Sequence, residues 1–175
     1  PSEKTLLSQN HKVHHLEWAR QHERIQPLNW QNVIFSDEAR FEVFRRDGRV
    51  RVRRRREELY HETCIMPRVQ AGGGSVTVWA AFHAGGKTQL QVLEGNMDQF
   101  QYLGILQRNM LPFARNTFGN SFVYQDDNAP CHHARRVTEY LTAEEVEHLG
   151  WPACSPDMNP IENLWAELTR QLNLL

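Results

Sequence analysis

The sequence lacks the features that mark membrane, secreted or disordered proteins. No apolar run approaches the ~18–20 residues that a membrane helix needs, and the first residues, Pro-Ser-Glu-Lys, do not form a signal peptide. Hydrophobic residues make up 40% of the 175 positions, which excludes a disordered tail. A chain of this length is expected to form one domain with a buried core and no contact with a membrane.

Cysteine is scarce as well. The three cysteines are widely spaced and include no Cys-x-x-Cys pair: Cys64, Cys131 and Cys154. An odd number without a pairing signal argues against a disulfide framework and favours an intracellular compartment. A zinc site at the consecutive residues 131–133, Cys-His-His, is the sharper alternative. It is disfavoured because adjacent residues rarely chelate one tetrahedral ion well and no second cluster follows at zinc-finger spacing.

Net charge is nearly absent, since twenty Lys and Arg oppose twenty-one Asp and Glu for a formal charge of −1. Nucleic-acid-binding domains are usually basic, so the total by itself argues against such a partner. The distribution is uneven, however: seventeen of the twenty cations are Arg, and eight of these fall within residues 45–56. Val50 and Val52 alternate with the arginines at the strand period, which predicts a hairpin. Arg is suited to bidentate phosphate contacts, and whether this hairpin also binds phosphate stays open.

Hydrophobic periodicity predicts an α/β domain. Residues 10–26 have the spacing of an amphipathic helix that ends at Pro27. The other predicted elements are strands at residues 32–36, 41–44, 75–79 and 88–93, a helix from Asp98 with Pro112 near its end, a strand at 121–124, a helix at 133–143, a short strand at 146–149 and a last helix from Asn159 to the end. Strands joined first by hairpins and then by β-α-β crossovers imply one mixed sheet with helices on its faces.

Three acidic motifs lie at the ends of predicted elements, which is where sheet proteins place their sites. Asp37 follows the first strand, Asp126 and Asp127 follow the strand at 121–124, and Glu162 lies at the start of the last helix. If the two strands are parallel neighbours, Asp37 and Asp127 emerge side by side, and the helix could bring Glu162 to the same point. Three convergent carboxylates repel one another, and a bound Mg²⁺ or Mn²⁺ would neutralise this repulsion. Two such ions about 3.5–4 Å apart would stabilise the attacking and leaving oxygens of a phosphoryl displacement.

Each acid also has a structural alternative. Asp37 could occupy a turn or cap the next segment, and residues 126–128, Asp-Asp-Asn, form a turn-like cluster. Asn159 as N-cap, with Glu162 at the third helical position, fits a capping box. Taken one by one, the acids favour these structural interpretations, and only the joint pattern favours a catalytic site.

Several long motifs occur in a recognisable order. They are Phe-Ser-Asp-Glu at 35–38, Gly-Gly-Ser-Val-Thr-Val-Trp at 73–79, Gln-Asp-Asp-Asn-Ala-Pro-Cys-His at 125–132, and Trp-Pro-Ala-Cys-Ser-Pro-Asp-Met-Asn-Pro-Ile-Glu at 151–162, preceded by Leu-Glu-Trp-Ala at 16–19. Together they closely resemble the Tc/mariner superfamily of DDE transposases. Asp127 and Glu162 enclose 34 residues, a spacing that marks the Tc-like branch. The resemblance covers nearly the whole chain.

The resemblance implies a ribonuclease-H-like fold, a mixed five-stranded sheet flanked by helices, in which Asp37, Asp127 and Glu162 match the catalytic, metal-binding triad of the family. Asp127 rather than Asp126 is the match, because the family motif runs acid-Asn-Ala-Pro. It also implies an enzyme that uses two Mg²⁺ or Mn²⁺ ions to hydrolyse double-stranded DNA at transposon ends and to join the freed 3′-hydroxyl to target DNA. A nuclear location and a homo-oligomeric full-length protein are implied as well. The alternative is a domesticated or decayed derivative that binds DNA or protein without cutting.

The limits of the resemblance predict a domain organisation. Residues 1–28 match the helical connector to an N-terminal DNA-binding region that is expected to be missing here. Residues 29–175 match the catalytic domain, which is expected to be truncated at its C-terminal end. In mariner-like relatives the region of the arginine-rich segment contacts DNA, so Arg53, Arg54, Arg55 and Arg56 are the candidate DNA-binding residues.

Overall fold

A computed structural model describes residues 7–24, 27–42 and 74–174 of the chain. The chain divides into two compact units, Pro1–Ala39 with Thr77–Leu175, and Arg40–Val76. Within the second unit the structure describes residues 40–42 and 74–76, where Nε of Arg40 donates to Oγ of Ser75 at 2.9 Å. The end of the strand predicted at 41–44 and the whole hairpin predicted at 45–56 lie outside the described residues.

Among the described residues, six strands form one mixed sheet. Their bounds are β1 Val33–Glu42, β2 Ser75–His83, β3 Gly86–Lys87, β4 Gln91–Leu93, β5 Val123–Gln125 and β6 Glu147–His148. The strand order is β3-β2-β1-β5-β6, and β4 also pairs with β2. β5 runs parallel to both β1 and β6, whereas β3 and β4 run antiparallel to β2. The predicted α/β class with a mixed sheet is therefore confirmed.

The sheet has six strands where five were predicted. Of the segment predicted as one strand at 88–93, only Gln91–Leu93 forms a strand, β4; the additional strand β3, Gly86–Lys87, comes before it, and the chain between them is not paired as a strand. The cause is Thr88, whose Oγ1 accepts a hydrogen bond from the backbone N–H of Ala81 at 3.0 Å. A side chain thus occupies a position where a regular ladder would use a backbone carbonyl. Two other predicted strands merge instead: the strand predicted at 32–36 and the start of the one predicted at 41–44 form the single strand β1.

The described residues form five α-helices. Their bounds are α1 Gln9–His22, α2 Gln99–Ile105, α3 Leu111–Phe118, α4 Arg135–Ala143 and α5 Ile161–Leu172, with 3₁₀ turns at Pro27–Asn32 and Pro156–Met158. Each predicted helix is present, with ends displaced by a few residues. Across the described ranges, no helix combines the length and the apolar character needed to cross a membrane.

A π-helical turn, Leu106–Met110, joins α2 and α3 into one continuous helix. Pro112 lies at the second position of α3. Proline has no backbone N–H, and in a regular helix its ring would clash with the carbonyl of Arg108, four residues earlier. A wider turn directly before the proline relieves that conflict. The sequence predicts an end near Pro112, but the helix therefore continues to Phe118.

The hydrophobic core lies between one face of the sheet and the helices α2, α3 and α4. Its fully buried side chains include Ile34, Trp79, Tyr102, Leu106, Met110, Tyr124 and Val137. Side chains alternate along β2, so Trp79 and Ala81 join this core while Ala80 and Phe82 face the opposite side. On that side Ile161 of α5 is buried beside the sheet. Helices therefore cover both faces, and α5 approaches β1 from the side opposite the main core.

Asp98 caps α2, as the sequence predicts. Its Oδ1 accepts hydrogen bonds from the backbone N–H groups of Phe100 and Gln101, at 2.9 and 2.8 Å. We expect Asp98→Ala to lower the free energy of unfolding by about 1 kcal/mol, because two helix N–H groups lose their acceptor. Urea unfolding measures the change. Asp98→Ser retains a capping oxygen and should lose clearly less; equal losses in both variants would show that the cap is not the cause.

Candidate active site

Asp37, Asp127 and Glu162 line one cavity of about 430 Å³. In the parallel pair of β1 and β5, Phe35 lies opposite Gln125 at the last registered position. Asp37 and Asp127 each lie two residues further along, so they reach the same edge of the sheet. Glu162 lies in the first turn of α5 and reaches this edge from the helix. The structure therefore brings the three acids predicted from the sequence to one place.

Two loops complete the wall of this cavity. The lining residues other than the acids are Asn128, Ala129, Trp151, Pro152, Ala153, Cys154, Ser155, Pro156 and Asn159. Asn128 connects the loops, because its Nδ2 donates to the carbonyl of Trp151 at 2.7 Å. A larger hollow of about 730 Å³ lies at the amino ends of β1 and β5, where Glu147 alone is acidic among the described lining residues. The convergent acids therefore distinguish the smaller cavity.

Asn159 joins the start of α5 to β1. Its Nδ2 donates to the carbonyl of Ser36 at 3.2 Å, and its Oδ1 accepts from the backbone N–H of Ile161 at 3.2 Å. The capping role predicted for Asn159 is therefore present. Glu162, however, does not complete a capping box: it lines the cavity, where its carboxyl interacts with that of Asp37.

Burial and like charge raise the pKa of Asp37 to about 7. Burial is the largest cause, a hydrogen bond from the backbone of Glu38 opposes it, and the neighbouring carboxylates of Glu38, Glu162 and Asp127 raise the pKa further. Burial also raises the pKa of Glu162. Burial and the neighbouring carboxylates together produce the shift of Asp37, and a cation bound among the carboxylates would lower its pKa.

Asp127 is held by His132 and by the turn that follows it. Its Oδ1 lies 2.7 Å from Nδ1 of His132 and accepts from the backbone N–H of Ala129 at 2.9 Å. Burial alone would raise the pKa of Asp127, but these hydrogen bonds outweigh burial and lower it. The structure assigns a turn at residues 130–133 and not at 126–128, where the sequence predicts one; Asp127 bonds locally to Ala129 and lies on the cavity.

His132 is buried between two acids. Its Nε2 lies 3.4 Å from Oε1 of Glu38, and its ring stacks on Tyr102 with 3.9 Å between centroids. Burial alone would lower the pKa of His132, but the hydrogen bond with Asp127 and the nearby carboxylate of Glu38 raise it to about 11. A charged imidazolium therefore lies between the two carboxylates. Sequence reasoning missed Glu38, although its place beside Asp37 in the Phe-Ser-Asp-Glu motif was an available signal.

Asp126 lies in the core and does not line the cavity. Its Oδ1 lies 2.8 Å from Nε2 of His148, and its Oδ2 accepts a hydrogen bond from the hydroxyl of Tyr102. That hydroxyl is 3.0 Å from the hydroxyl of Tyr124, which contacts Oγ of Ser36 at 2.7 Å. The two adjacent aspartates therefore occupy different environments, one in a buried polar network and the other on the cavity.

The donors around the cavity suit a hard divalent cation. Carboxylate oxygens are the ligands that Mg²⁺ and Mn²⁺ prefer, and three carboxyl groups line this cavity. Within ranges 7–24, 27–42 and 74–174, no three His, Cys, Asp or Glu side chains are arranged as a ready-made metal site. The acids thus fit a cation in type and place, and their side chains would adjust to bind it. The zinc alternative at 131–133 finds no support, since His132 contacts Asp127 and Nε2 of His133 contacts Oδ1 of Asn128 at 3.0 Å.

Arg53, Arg54, Arg55 and Arg56, the candidate DNA-binding residues, lie outside the described residues, as does Cys64. Their DNA contact stays a prediction.

Sequence comparison identifies the family of the chain. The profile described as DDE superfamily endonuclease matches residues 32–174. The chain belongs to the DDE superfamily of endonucleases. This DDE chain is 40% identical over 172 residues to the transposable element Tcb1 transposase of Caenorhabditis briggsae and 38% identical to the Tc1 transposase of Caenorhabditis elegans. Each match covers 98% of the chain and 63% of the relative, so the chain spans less than two thirds of their length.

Solved structures share the fold of this DDE domain. The Mos1 transposase paired-end complex with left transposon end matches with a TM-score of 0.68 and 18% identity, over 96% of this chain and 50% of that chain. The Mos1 transposase catalytic domain with raltegravir and Mg matches with a TM-score of 0.66 and 17% identity, over 97% of this chain and 76% of that chain. The predicted relation to Tc/mariner transposases, the ribonuclease-H-like fold and the DDE type of enzyme family are confirmed.

Proposed function

We propose that the chain is the catalytic core of a DNA transposase. It hydrolyses phosphodiester bonds at transposon ends and joins the freed 3′-hydroxyl to target DNA. The observation that carries the proposal is the convergence of Asp37, Asp127 and Glu162 on one cavity of a DDE endonuclease domain. The relatives support it, because the Tcb1 and Tc1 proteins are transposases and one Mos1 transposase structure is a complex with a transposon end.

The proposed role of the three acids is cation binding. Structures of the Mos1 transposase catalytic domain contain Mg in one case and Mn in another, which supports a divalent cation here. Two bound cations would neutralise the carboxylates and stabilise the attacking and leaving oxygens of an in-line phosphoryl displacement.

Residues of the chain prepare the acids for this role. His132 and the N–H of Ala129 hold Oδ1 of Asp127, which leaves its other oxygen available to a cation. Asn159 ties the start of α5 to β1 and so keeps Glu162 near Asp37. Asp37 must lose its proton to bind a cation, and its pKa of about 7 places that loss in the neutral range.

The proposed partner is double-stranded DNA, at the transposon end and at the target. Arg53–Arg56 stay the predicted DNA contact. A homo-oligomeric full-length protein and a nuclear location also stay predictions, and the number of two ions follows from the proposed chemistry.

Metal-dependent nicking tests the proposal. We expect the chain to nick supercoiled plasmid DNA in Mn²⁺ or Mg²⁺ and not in EDTA. Glu162→Gln keeps the size of the side chain but removes its charge, and it should slow nicking by about 10²- to 10³-fold. The matched control is Glu139→Gln, because Glu139 is an exposed residue of α4 that pairs with Arg135. This control should nick as fast as the unsubstituted chain.

Two results would count against the proposal. Equal nicking by Glu162→Gln and the unsubstituted chain would remove Glu162 from the site. DNA binding without nicking in either cation would favour the alternative, a derivative that binds DNA without cutting it.

A further inference from the structure

Polar and aromatic contacts hold helix α1 on the domain. None of its residues is buried, and Val13 and Leu16, which form its apolar pattern, are 44% and 52% exposed. Within the described part of the chain, its hydrogen bonds to other segments all reach residues 150–155. The rings of Trp18 and His22 also contact Trp30, but the hydrogen bonds of α1 are directed at one loop, and that loop forms a wall of the cavity.

His15 makes the first of these contacts. Its Nε2 lies 3.0 Å from the carbonyl oxygen of Ala153 and 2.8 Å from Oγ of Ser155. The hydroxyl of Ser155 donates to the carbonyl of Pro152 at 2.7 Å, so its oxygen is free to accept from His15. The Nε2–H group of His15 is thus shared by two acceptors of the loop. One side chain of α1 fixes the middle of the loop in this way.

Trp18 makes the second contact, at the start of the loop. Its Nε1 donates to the carbonyl of Gly150 at 2.6 Å, and its ring meets that of Trp151 edge-on with 4.9 Å between centroids. On its other side the indole stacks on His22 at 4.0 Å. Nδ1 of His22 donates to the backbone carbonyl of Trp18 at 2.7 Å, which locks this stack.

The loop needs such support. Cys154, between the two residues that His15 contacts, has a φ of 58°, a left-handed conformation that is unfavourable for residues other than glycine. A backbone of this kind persists only where its surroundings determine it. On the cavity side, Asn128 holds the carbonyl of Trp151. On the outer side, His15 and Trp18 supply hydrogen bonds to the loop.

The three acids are held by other means. Asp37 lies on β1 and Asp127 two residues after β5, and Asn159 ties α5 to the carbonyl of Ser36 at 3.2 Å. None of these contacts involves a residue of α1. Loosening the loop would therefore change the shape of the cavity without displacing the acids.

We propose that α1 is a positioning element for the active-site wall, with His15 and Trp18 as positioning residues that set the fit of the cavity to DNA. The part that concerns DNA rests on the proposed function. Because His15 acts on the wall and not on the acids, its loss should weaken the productive binding of DNA and leave the chemical step nearly unchanged.

The experiment compares His15→Ala, His15→Gln and Trp18→Phe with the control Lys12→Ala, an exposed residue of the same helix that does not line the hollow between α1 and the loop. Hydrogen exchange by mass spectrometry reports on the loop, because the amide of Met158 donates to the carbonyl of Ser155 at 3.1 Å. Plasmid nicking in Mn²⁺ gives KM and kcat separately. Glutamine can place an N–H near the position of the histidine Nε2, and phenylalanine keeps the ring of Trp18 but loses its N–H.

For His15→Ala we expect exchange in residues 150–158 to be about 10-fold faster, since local opening becomes easier, and KM to rise about 5-fold with kcat within about 2-fold. His15→Gln should restore most of the exchange protection and most of the KM. Trp18→Phe should resemble His15→Ala, and Lys12→Ala should match the unsubstituted chain. Unchanged exchange in both His15→Ala and Trp18→Phe would overturn the positioning role. A fall in kcat with constant KM would overturn the claim that His15 acts on the wall of the cavity and not on the acids. Absence of nicking by the unsubstituted chain would overturn the proposed function, whatever the exchange shows.

Discussion

Asp37→Asn is expected to stabilise the metal-free chain at pH 8 and to abolish metal-dependent nicking. The carboxyl of Asp37 is mostly buried beside Glu38, Glu162 and Asp127, and its pKa is raised to about 7. An asparagine has nearly the same shape without the charge, so it removes both the cost of burial and the repulsion. The same change removes an acid from the proposed cation site. Stability and activity should therefore move in opposite directions, as is common where an active site strains the fold.

The stabilisation should depend on pH. Folding raises the pKa of Asp37 from 3.8 to about 7, so between these values the folded chain keeps a proton that the unfolded chain has released. The free energy of unfolding of the unsubstituted chain therefore falls as the pH rises through this window, and the loss is complete above it. Asp37→Asn should gain about 2 kcal/mol at pH 8 and almost nothing near pH 4. The gain at pH 8 is roughly half of what the full pKa shift implies, because the side chain is partly exposed.

A divalent cation should reverse this order of stability. Mn²⁺ at about 100 times its Kd would stabilise the unsubstituted chain by about 2.7 kcal/mol, whereas Asp37→Asn should gain far less. Thermal unfolding at pH 8, in EDTA and in Mn²⁺, measures both effects. Asp157→Asn is the control, since Asp157 is an exposed acid that does not line the cavity. A variant that is less stable than the unsubstituted chain in EDTA, or equally stabilised by Mn²⁺, would contradict this account.

The meeting of the three acids could be predicted because it depends on local signals. Asp127 and Glu162 lie in short motifs next to predicted elements, and parallel pairing of β1 with β5 does the rest. Asp37 is the partial failure: it was expected to follow a strand and lies inside β1. The polar residues from 36 onward break the apolar pattern, but they have partners of their own. Ser36, for example, contacts the hydroxyl of Tyr124 at 2.7 Å.

Contacts between distant segments could not be predicted from local patterns. His15 and Trp18 reach a loop that is more than a hundred residues away along the chain, and nothing near them in sequence indicates it. The break between β3 and β4 likewise depends on Thr88 and its bond to Ala81 on the neighbouring strand. Apolar spacing correctly predicted α1 as a helix, but it could not show that hydrogen bonds attach it.

Asp126 and Asp127 are the clearest case of two residues that sequence alone separates only by resemblance to a family motif. In the structure the side chain of Asp126 is 2% exposed and that of Asp127 is 52% exposed. We therefore expect Asp126 to serve the fold and Asp127 the chemistry. Asp126→Ala should lower the free energy of unfolding by about 3 kcal/mol, because His148 and the buried hydroxyl of Tyr102 lose their acceptor.

Asp127→Asn should have the opposite profile. Its amide oxygen can still accept from His132 and from the N–H of Ala129, so the loss of stability should stay near about 1 kcal/mol. Nicking should nevertheless fall by about 10²- to 10³-fold, because a charged ligand of the proposed cation is gone. Urea unfolding and plasmid nicking on the same preparations measure the two profiles. Asp126→Ala, assayed at a temperature where it is folded, should nick at nearly the normal rate.

A double-mutant cycle distinguishes the buried network from a general effect of cutting back a core side chain. Tyr102→Phe removes the hydroxyl that Asp126 accepts from, so in the presence of Asp126→Ala it should cost little or even restore stability. A coupling of about 1 kcal/mol or more is expected for groups that share one buried hydrogen bond. Additive losses would mean that Asp126 stabilises the fold by packing alone. Loss of nicking in folded Asp126→Ala would mean that the buried network also supports the active site, and the division between the two aspartates would have to be abandoned.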